Sequence, residues 1–159
     1  MEEILEILEK NSRATDEEIA VMLNKSVEEV RAAIKKYEED GVILGYTSMI
    51  NWEKTSKEAV VALIEVKVTP QRGQGFDKVA ERIYKFPEVK ACYLMSGGFD
   101  LTVIVEGKTM KEVALFVAEK LSPLDSVLST STHFVLKKYK DKGVIFEEEY
   151  NDGREAVVL

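Results

Sequence analysis

The stretch that decides the fold is Met95-Ser96-Gly97-Gly98-Phe99-Asp100-Leu101. A strand-like apolar run, residues 89–95, enters it, and a second run, residues 101–105, leaves it. Two consecutive glycines between such runs predict a hairpin, because glycine accepts a positive φ at no steric cost. Asp100 stands where the second strand starts, beside N–H groups that a turn leaves unpaired. It either caps the turn or forms part of a concave site for a small zwitterion.

Patterns on both sides extend this hairpin into a larger unit. Residues 60–68 alternate as a strand, and residues 127–139 predict a last long strand with Thr130, Thr132, Phe134 and Leu136 on one face. Apolar residues at helical spacing predict two helices between the strands. Their inward residues are Phe76, Val79, Ala80 and Ile83 in the first, and Met110, Val113, Ala114, Val117 and Leu121 in the second. The order β-α-β-β-α-β is that of a ferredoxin-like domain.

Two helices can cover only one face of a four-stranded sheet. Several strands nevertheless carry apolar residues on both faces, as at Val60/Val61, Leu63/Ile64 and Val103/Ile104. Soluble monomers rarely expose such a face, so the pattern predicts a second copy packed sheet against sheet.

The N-terminal residues predict three helices. Ile4, Leu5 and Leu8 share one face of the first. Capping boxes at Thr15–Glu18 and Ser26–Glu29 start the second and third, which places a tight turn near residues 24–25. The inward residues are Ile19, Ala20 and Leu23 in the second helix, and Val27, Val30, Ile34 and Tyr37 in the third, which ends at Asp40-Gly41. This is helix-turn-helix geometry, and the β-prone run 42–50 would serve as a wing.

The outward face of the third helix would meet DNA. It carries Glu28, Arg31, Ala32 and Lys35, with Lys36 alongside. Arg31 could reach a guanine edge, and Lys25, Lys35 and Lys36 could meet phosphates. Alternatively the face is only solvated, with Glu28 paired to Arg31 three residues on.

The charge and composition of the chain argue against several classes of function. The chain has 159 residues and a net charge of −7, which disfavours a non-specific nucleic-acid binder. Residues 1–58 hold 8 Lys+Arg against 14 Asp+Glu, a net charge of −6. With one histidine, His133, one cysteine, Cys92, and no cluster of metal-ligand residues, we expect neither an enzyme nor a metal or cofactor site. The sequence shows no membrane-length apolar run and no signal peptide, so we expect a cytoplasmic protein.

The ordered combination of motifs resembles the Lrp/AsnC (feast/famine) transcriptional regulators. It comprises Asn11-Ser12-Arg13, the two capped helices, 39–46 (Glu-Asp-Gly-Val-Ile-Leu-Gly-Tyr), 96–101 (Ser-Gly-Gly-Phe-Asp-Leu) and the strand with Thr130-Ser131-Thr132. The resemblance implies an α+β chain, with a winged helix-turn-helix over 1–51, a linker over 52–58 and a ferredoxin-like sensing domain over 59–140. It also implies homodimers that assemble further, commonly into octamers, and that bind double-stranded DNA.

By position, the resemblance also implies two sites. An amino acid or related small effector would bind between subunits, at Gly97, Gly98, Phe99, Asp100, Thr130 and Thr132. The helix that enters DNA would present Ser26, Glu28, Arg31, Lys35 and Lys36. The alternative is a sensor whose acidic N-terminal domain binds a protein instead of DNA.

Three features depart from the family pattern. Glu28 and Glu29 make the start of the third helix acidic, and Phe99 stands where many members have tyrosine. The tail, residues 141–159, extends past the family core. Its apolar end, Ala156 to Leu159, is expected either to dock on a domain of this or a neighbouring chain or to be disordered.

Overall fold

The computed structural model describes residues 1–70, 72–73 and 75–146. The chain forms two compact units that divide between Ile50 and Asn51. The first unit contains three helices: α1 (Glu3–Lys10), α2 (Asp16–Leu23) and α3 (Val27–Glu39).

Both predicted capping boxes start their helices. The Thr15 hydroxyl accepts from the Glu18 N–H, and the Glu18 carboxylate accepts from the Thr15 N–H; Ser26 and Glu29 repeat the arrangement in α3. The turn between α2 and α3 passes through Asn24 in the left-handed conformation, with φ of 51°. These local signals therefore produce the expected helix-turn-helix.

A small apolar core holds the three helices. Its buried members are Ile4, Leu8, Ile19, Ala20, Val30 and Ala33. The sequence pattern missed Ala33, which is buried in this core. Of the predicted core residues, Leu5, Leu23, Val27, Ile34 and Tyr37 are only half-buried.

The run 42–50 is irregular and does not form the expected wing strand. β-prone residues form a strand only where a partner backbone accepts the ladder bonds, and the first unit offers none. The run is instead held by side chains: the Tyr46 hydroxyl donates to Glu38 at 2.8 Å, and the Ser12 hydroxyl donates to the Thr47 carbonyl at 3.4 Å. The run 42–50 therefore contains no strand, although its side chains fasten it to the three helices.

The second unit contains a four-stranded antiparallel sheet. Its strands are β1 (Val60–Val68), β2 (Val89–Leu94), β3 (Leu101–Gly107) and β4 (Val127–Phe134), in the spatial order β2-β3-β1-β4. Two helices complete it, α4 (Asp77–Tyr84) and α5 (Met110–Phe116), the latter extended by a wider π-helical turn, Val117–Leu121. The predicted βαββαβ order is confirmed.

Both helices pack on the same face of the sheet. Ala62, Ile64, Val66 and Val68 of β1 are buried against residues of α4 and α5, as the alternation predicted. In α5 the expected inward residues Met110 and Ala114 are exposed, whereas Phe116 is buried. Phe116 lies three residues after Val113 and shares the buried face at ordinary helical spacing, whereas Met110 and Ala114 lie outside that face.

The last strand is shorter than expected. β4 stops at Phe134, and the Val135 N–H bonds to the Val61 carbonyl, so the pairing ends within two residues of the start of β1. Leu136, expected on the inward face, is 87% exposed. A small hairpin follows, with β5 (Lys140–Asp141) and β6 (Val144–Ile145). The predicted behaviour of Ala156 to Leu159 concerns residues outside the described ranges.

The segment before β1 is tied to the second unit. A short 3₁₀ turn spans Trp52–Lys54, and the Lys57 ammonium lies 4.1 Å from the centre of the Trp52 ring. The same ammonium pairs with Glu106 of β3 at 3.2 Å. The residues expected to be a linker are thus partly ordered by a cation–π contact and an ion pair.

Candidate functional site

The double-glycine hairpin forms as predicted between β2 and β3. It is closed by a hydrogen bond of 2.8 Å from the Met95 N–H to the Asp100 carbonyl. Gly97 has φ of +127°, a conformation that a side chain would strain, whereas Gly98 has no positive φ. A Cβ at Gly98 would meet nothing within 4 Å, so the space above this residue is open.

Asp100 has a definite structural task. Its Oδ2 accepts from the Val68 N–H at 2.8 Å, and its own N–H donates to the Val66 carbonyl at 3.1 Å. The pairing of β1 with β4 shifts register between Lys67 and Val68, and such a bulge leaves a backbone group without its ladder partner. Asp100 therefore ties the hairpin to the end of β1. An ionised carboxylate offers about four acceptor positions, so this bond leaves capacity for a ligand.

The two threonines of the expected effector site lie on β4. Thr130 pairs opposite Val66 and Thr132 opposite Ile64, both half-buried on the helix-covered face. β1 lies between β3 and β4, so two strand spacings, ~10 Å, separate these threonines from the strand of Asp100. The structure thus brings Gly97, Gly98, Phe99 and Asp100 together on one turn, and leaves the threonines across the end of β1.

The surroundings of the hairpin are apolar. Phe99 is half-buried, and Leu94 and Met95 expose 60% and 41% of their surface. A small molecule at this turn would meet a carboxylate, open backbone and apolar side chains. Those groups suit a ligand with an ammonium group and an apolar body.

On α3, the expected DNA-facing residues are exposed, but Arg31 has partners. Its Nε donates to Asp16 Oδ2 of α2 at 3.0 Å, and its Nη2 lies 3.9 Å from Glu17 Oε1. Glu28 forms no ion pair with any residue in the described ranges, so the alternative pairing of Glu28 with Arg31 is absent. The sequence analysis missed Asp16 as a partner of Arg31. An acidic residue in the first turn of a helix is common, because it interacts favourably with the helix dipole, so Asp16 did not stand out.

The other residues of this face differ in how far they are engaged. Ser26 is committed to its cap, because its hydroxyl accepts from the Glu29 N–H and donates to the Glu29 carboxylate. Hydrogen bonds from the Ser26 N–H and hydroxyl hold the pKa of the Glu29 carboxyl below its usual value. Lys35 pairs loosely with Glu39 at 3.7 Å, Lys36 is exposed, and Lys25 is half-buried.

The residues considered for catalysis are His133 and Cys92. His133 lies on β4 with its Nε2 3.6 Å from Glu65 Oε1, on the sheet face away from the helices. Burial raises the pKa of the Cys92 thiol, which makes it a poor nucleophile. Residues 1–70, 72–73 and 75–146 contain no group of acids, histidines and cysteines placed to hold a metal, and no helix long and apolar enough to cross a membrane.

Comparison with known proteins matches both units. A family model described as "Winged helix-turn-helix DNA-binding" matches residues 2–43, and one described as "Lrp/AsnC ligand binding domain" matches residues 61–145. An HTH-type transcriptional regulator of Bacillus subtilis, YugG, itself uncharacterized, is 56% identical over 156 residues, 98% of this chain and 94% of its own.

Two solved structures show the same fold. A transcriptional regulator of Neisseria meningitidis in complex with L-methionine has a TM-score of 0.70 at 24% identity, covering 87% of this chain and 88% of its own. A feast or famine regulatory protein of M. tuberculosis, complexed with L-methionine, has a TM-score of 0.72 at 22% identity, covering 87% of this chain and 90% of its own. The expected fold and the expectation of a regulator, not an enzyme, are confirmed, and the chain belongs to the Lrp/AsnC family of transcriptional regulators.

Proposed function

We propose that this regulator binds an amino acid with an apolar side chain at the hairpin of Gly97, Gly98, Phe99 and Asp100, and that this effector changes its assembly or its affinity for DNA. The observation that carries the proposal is the Asp100 carboxylate, fixed at the end of β1 beside the open space over Gly98. The L-methionine complexes of two structurally similar proteins support an amino acid as the ligand class.

The effector would lie at the end of β1. Its ammonium group would lie at Asp100, and its carboxylate would be met by the turn backbone of Gly97 and Gly98. Thr130 and Thr132 lie too far from the hairpin of their own chain, so in a site between subunits they would contribute hydroxyl groups from a neighbouring chain. This arrangement keeps the expected residues in one site without requiring the threonines to touch the hairpin of their own chain.

DNA would be bound by the outward face of α3. Arg31 would meet a base edge, Lys25, Lys35 and Lys36 would meet phosphates, and Glu28 could accept from a cytosine amine. Ser26 would act through its backbone and its cap, since its hydroxyl is already engaged by Glu29. The acidity of the N-terminal unit limits long-range attraction, so several copies acting together would supply the affinity.

A gel-shift assay with random genomic fragments, with and without each of the twenty amino acids, tests this function. We expect retarded fragments whose mobility or yield changes with an apolar amino acid. Retardation that no amino acid alters would contradict the effector proposal alone. Failure to retard any fragment at low salt would contradict DNA binding and favour a protein partner for the acidic N-terminal unit.

We further propose a homodimer formed through the sheet face that the helices leave open, with larger assemblies such as octamers built from it. This open face carries Val61, Leu63 and Ile104, apolar residues that are only half-buried in the single chain. Their alignment across β1 and β3 makes a continuous apolar surface.

Light scattering at micromolar concentration checks the assembly. We expect a mass of at least twice the 17.9 kDa of one chain. Replacing Ile104 by lysine in the middle of the open face should lower that mass, because an unpaired charge would be buried in the interface. A folded parent protein that scatters as a monomer would refute the dimer.

A further inference from the structure

We propose that Asp16 is a positioning residue that determines base specificity, because it orients Arg31 on α3 toward a guanine edge; the proposal rests on DNA binding by α3. Its basis is the contact between two helices that the chain places side by side. Asp16 is the first residue of α2, and Arg31 lies in the second turn of α3.

The atoms in contact leave the reading end of Arg31 available. The bond of 3.0 Å uses Nε, at the stem of the guanidinium group, and Asp16 Oδ2. The two Nη groups remain for a planar, two-bond contact, the geometry in which arginine recognises O6 and N7 of guanine. A carboxylate at Nε favours one plane of the guanidinium before DNA arrives.

Asp16 is itself well held, as an orienting group must be. It follows Thr15, whose hydroxyl and N–H are both engaged in the capping box with Glu18. Its side chain is 31% exposed, against 61% for Arg31. The less exposed partner therefore acts as the anchor, and the more exposed arginine as the projecting group.

Glu17 makes a different kind of contact with the same arginine. Its Oε1 lies 3.9 Å from Nη2, and its side chain is 66% exposed. This is a loose pair at the end of Arg31 that a base must use, so Glu17 must yield on binding. Asp16 and Glu17 thus carry the same charge on the same turn of α2, yet only Asp16 occupies the stem position.

This pair of acids gives a matched experiment. A DNA sequence is selected from a randomised library with the parent protein, and anisotropy titrations then compare that sequence with its single base-pair changes. We expect one guanine preference that Arg31→Lys removes while the salt dependence is kept, since lysine retains the charge and loses the planar fork. Thermal unfolding of each variant confirms that the N-terminal unit is folded.

The decisive variants are Asp16→Asn, Asp16→Ala and Glu17→Gln. Immobilising an arginine is worth about two- to twelvefold in affinity, so Asp16→Ala should lower the guanine preference by that factor and Asp16→Asn by less. Glu17→Gln should leave the preference intact, although both Glu17→Gln and Asp16→Asn should raise binding to unrelated DNA. Asp16→Asn decides the matter if Asp16→Ala fails to fold.

Two outcomes overturn the proposal. If both Asp16 variants keep the full guanine preference, or if Glu17→Gln loses as much of it as Asp16→Asn, Asp16 contributes only a charge at a helix start. In those cases DNA binding by α3 still stands. A parent protein that selects no sequence would overturn this proposal and the proposed DNA binding together.

Discussion

Replacing Arg31 and Lys35 together by alanine is expected to weaken specific DNA binding about ten- to a hundredfold, at unchanged fold. A lost base contact costs ~1–3 kcal/mol, and each lost phosphate contact lowers the salt slope by about 1. Both side chains project from α3, with 61% and 73% of their surface exposed, and their ion pairs are surface pairs of small energy. Titrations at several salt concentrations measure both effects.

The matched control removes two exposed lysines elsewhere. Lys108→Ala with Lys111→Ala makes the same change in charge in the second unit, at the start of α5. It should leave both affinity and salt slope near the parent values. If the control weakens binding as much as the α3 variant, the effect is one of net charge. If the α3 variant binds like the parent, α3 is not the DNA-contacting helix.

Much of the fold could be predicted because its signals are local. The Thr15 and Ser26 caps each satisfy backbone N–H groups within three residues, so their consequence does not depend on distant contacts. The alternation of β1 has the same character, since one buried face follows from a period of two. The double-glycine hairpin also follows from local backbone freedom at Gly97, which has φ of +127°.

The wrong predictions concern segments whose structure depends on contacts with residues distant in the sequence. The run 42–50 has the composition of a strand but no ladder partner within its unit, and β4 ends at Phe134, opposite Ala62 near the start of β1. None of these outcomes can be obtained from residue spacing, because each depends on backbone geometry beyond the segment concerned.

The same limit applied to the sites. Sequence identified Arg31 and Asp100 as residues of interest, but not Asp16, fifteen positions upstream of Arg31, nor the Val68 N–H, thirty-two positions from Asp100. Both missed partners are tertiary contacts. They change the interpretation: Arg31 is paired with Asp16, and the Asp100 side chain is bonded to the end of β1.

The hydrogen bond between Asp100 and Val68 connects the proposed effector site to the core of the second unit. Its carboxylate bonds to Val68, which is 4% exposed and belongs to the core of the second unit. An effector ammonium at the same carboxylate would compete with or polarise that bond. Effector binding would then alter the hydrogen bonding at the end of β1. This strand lies inside the sheet and contributes to the proposed dimer face.

Replacing Asp100 by asparagine is therefore expected to weaken binding of the effector roughly ten- to a hundredfold without unfolding the second unit. A hydrogen bond to a charged group is worth ~1.5–3 kcal/mol, and asparagine removes the charge. Its amide oxygen can still accept from the Val68 N–H, which alanine could not do. A calorimetric screen of the twenty amino acids against the parent protein identifies the ligand, and the variant is then titrated with it.

Two further variants decide what a loss of affinity means. Glu58→Gln removes one exposed negative charge just before the start of β1, at the opposite end of that strand from the hairpin, and should bind the effector like the parent protein. Gly98→Ala should fold, since a Cβ there meets nothing within 4 Å, yet its methyl group occupies the open space and should also weaken binding. If Asp100→Asn and Gly98→Ala both bind the effector as the parent does, the hairpin is only a turn and Asp100 only its cap. DNA binding without effector should survive in all three variants, because their substitutions lie outside the helix-turn-helix unit.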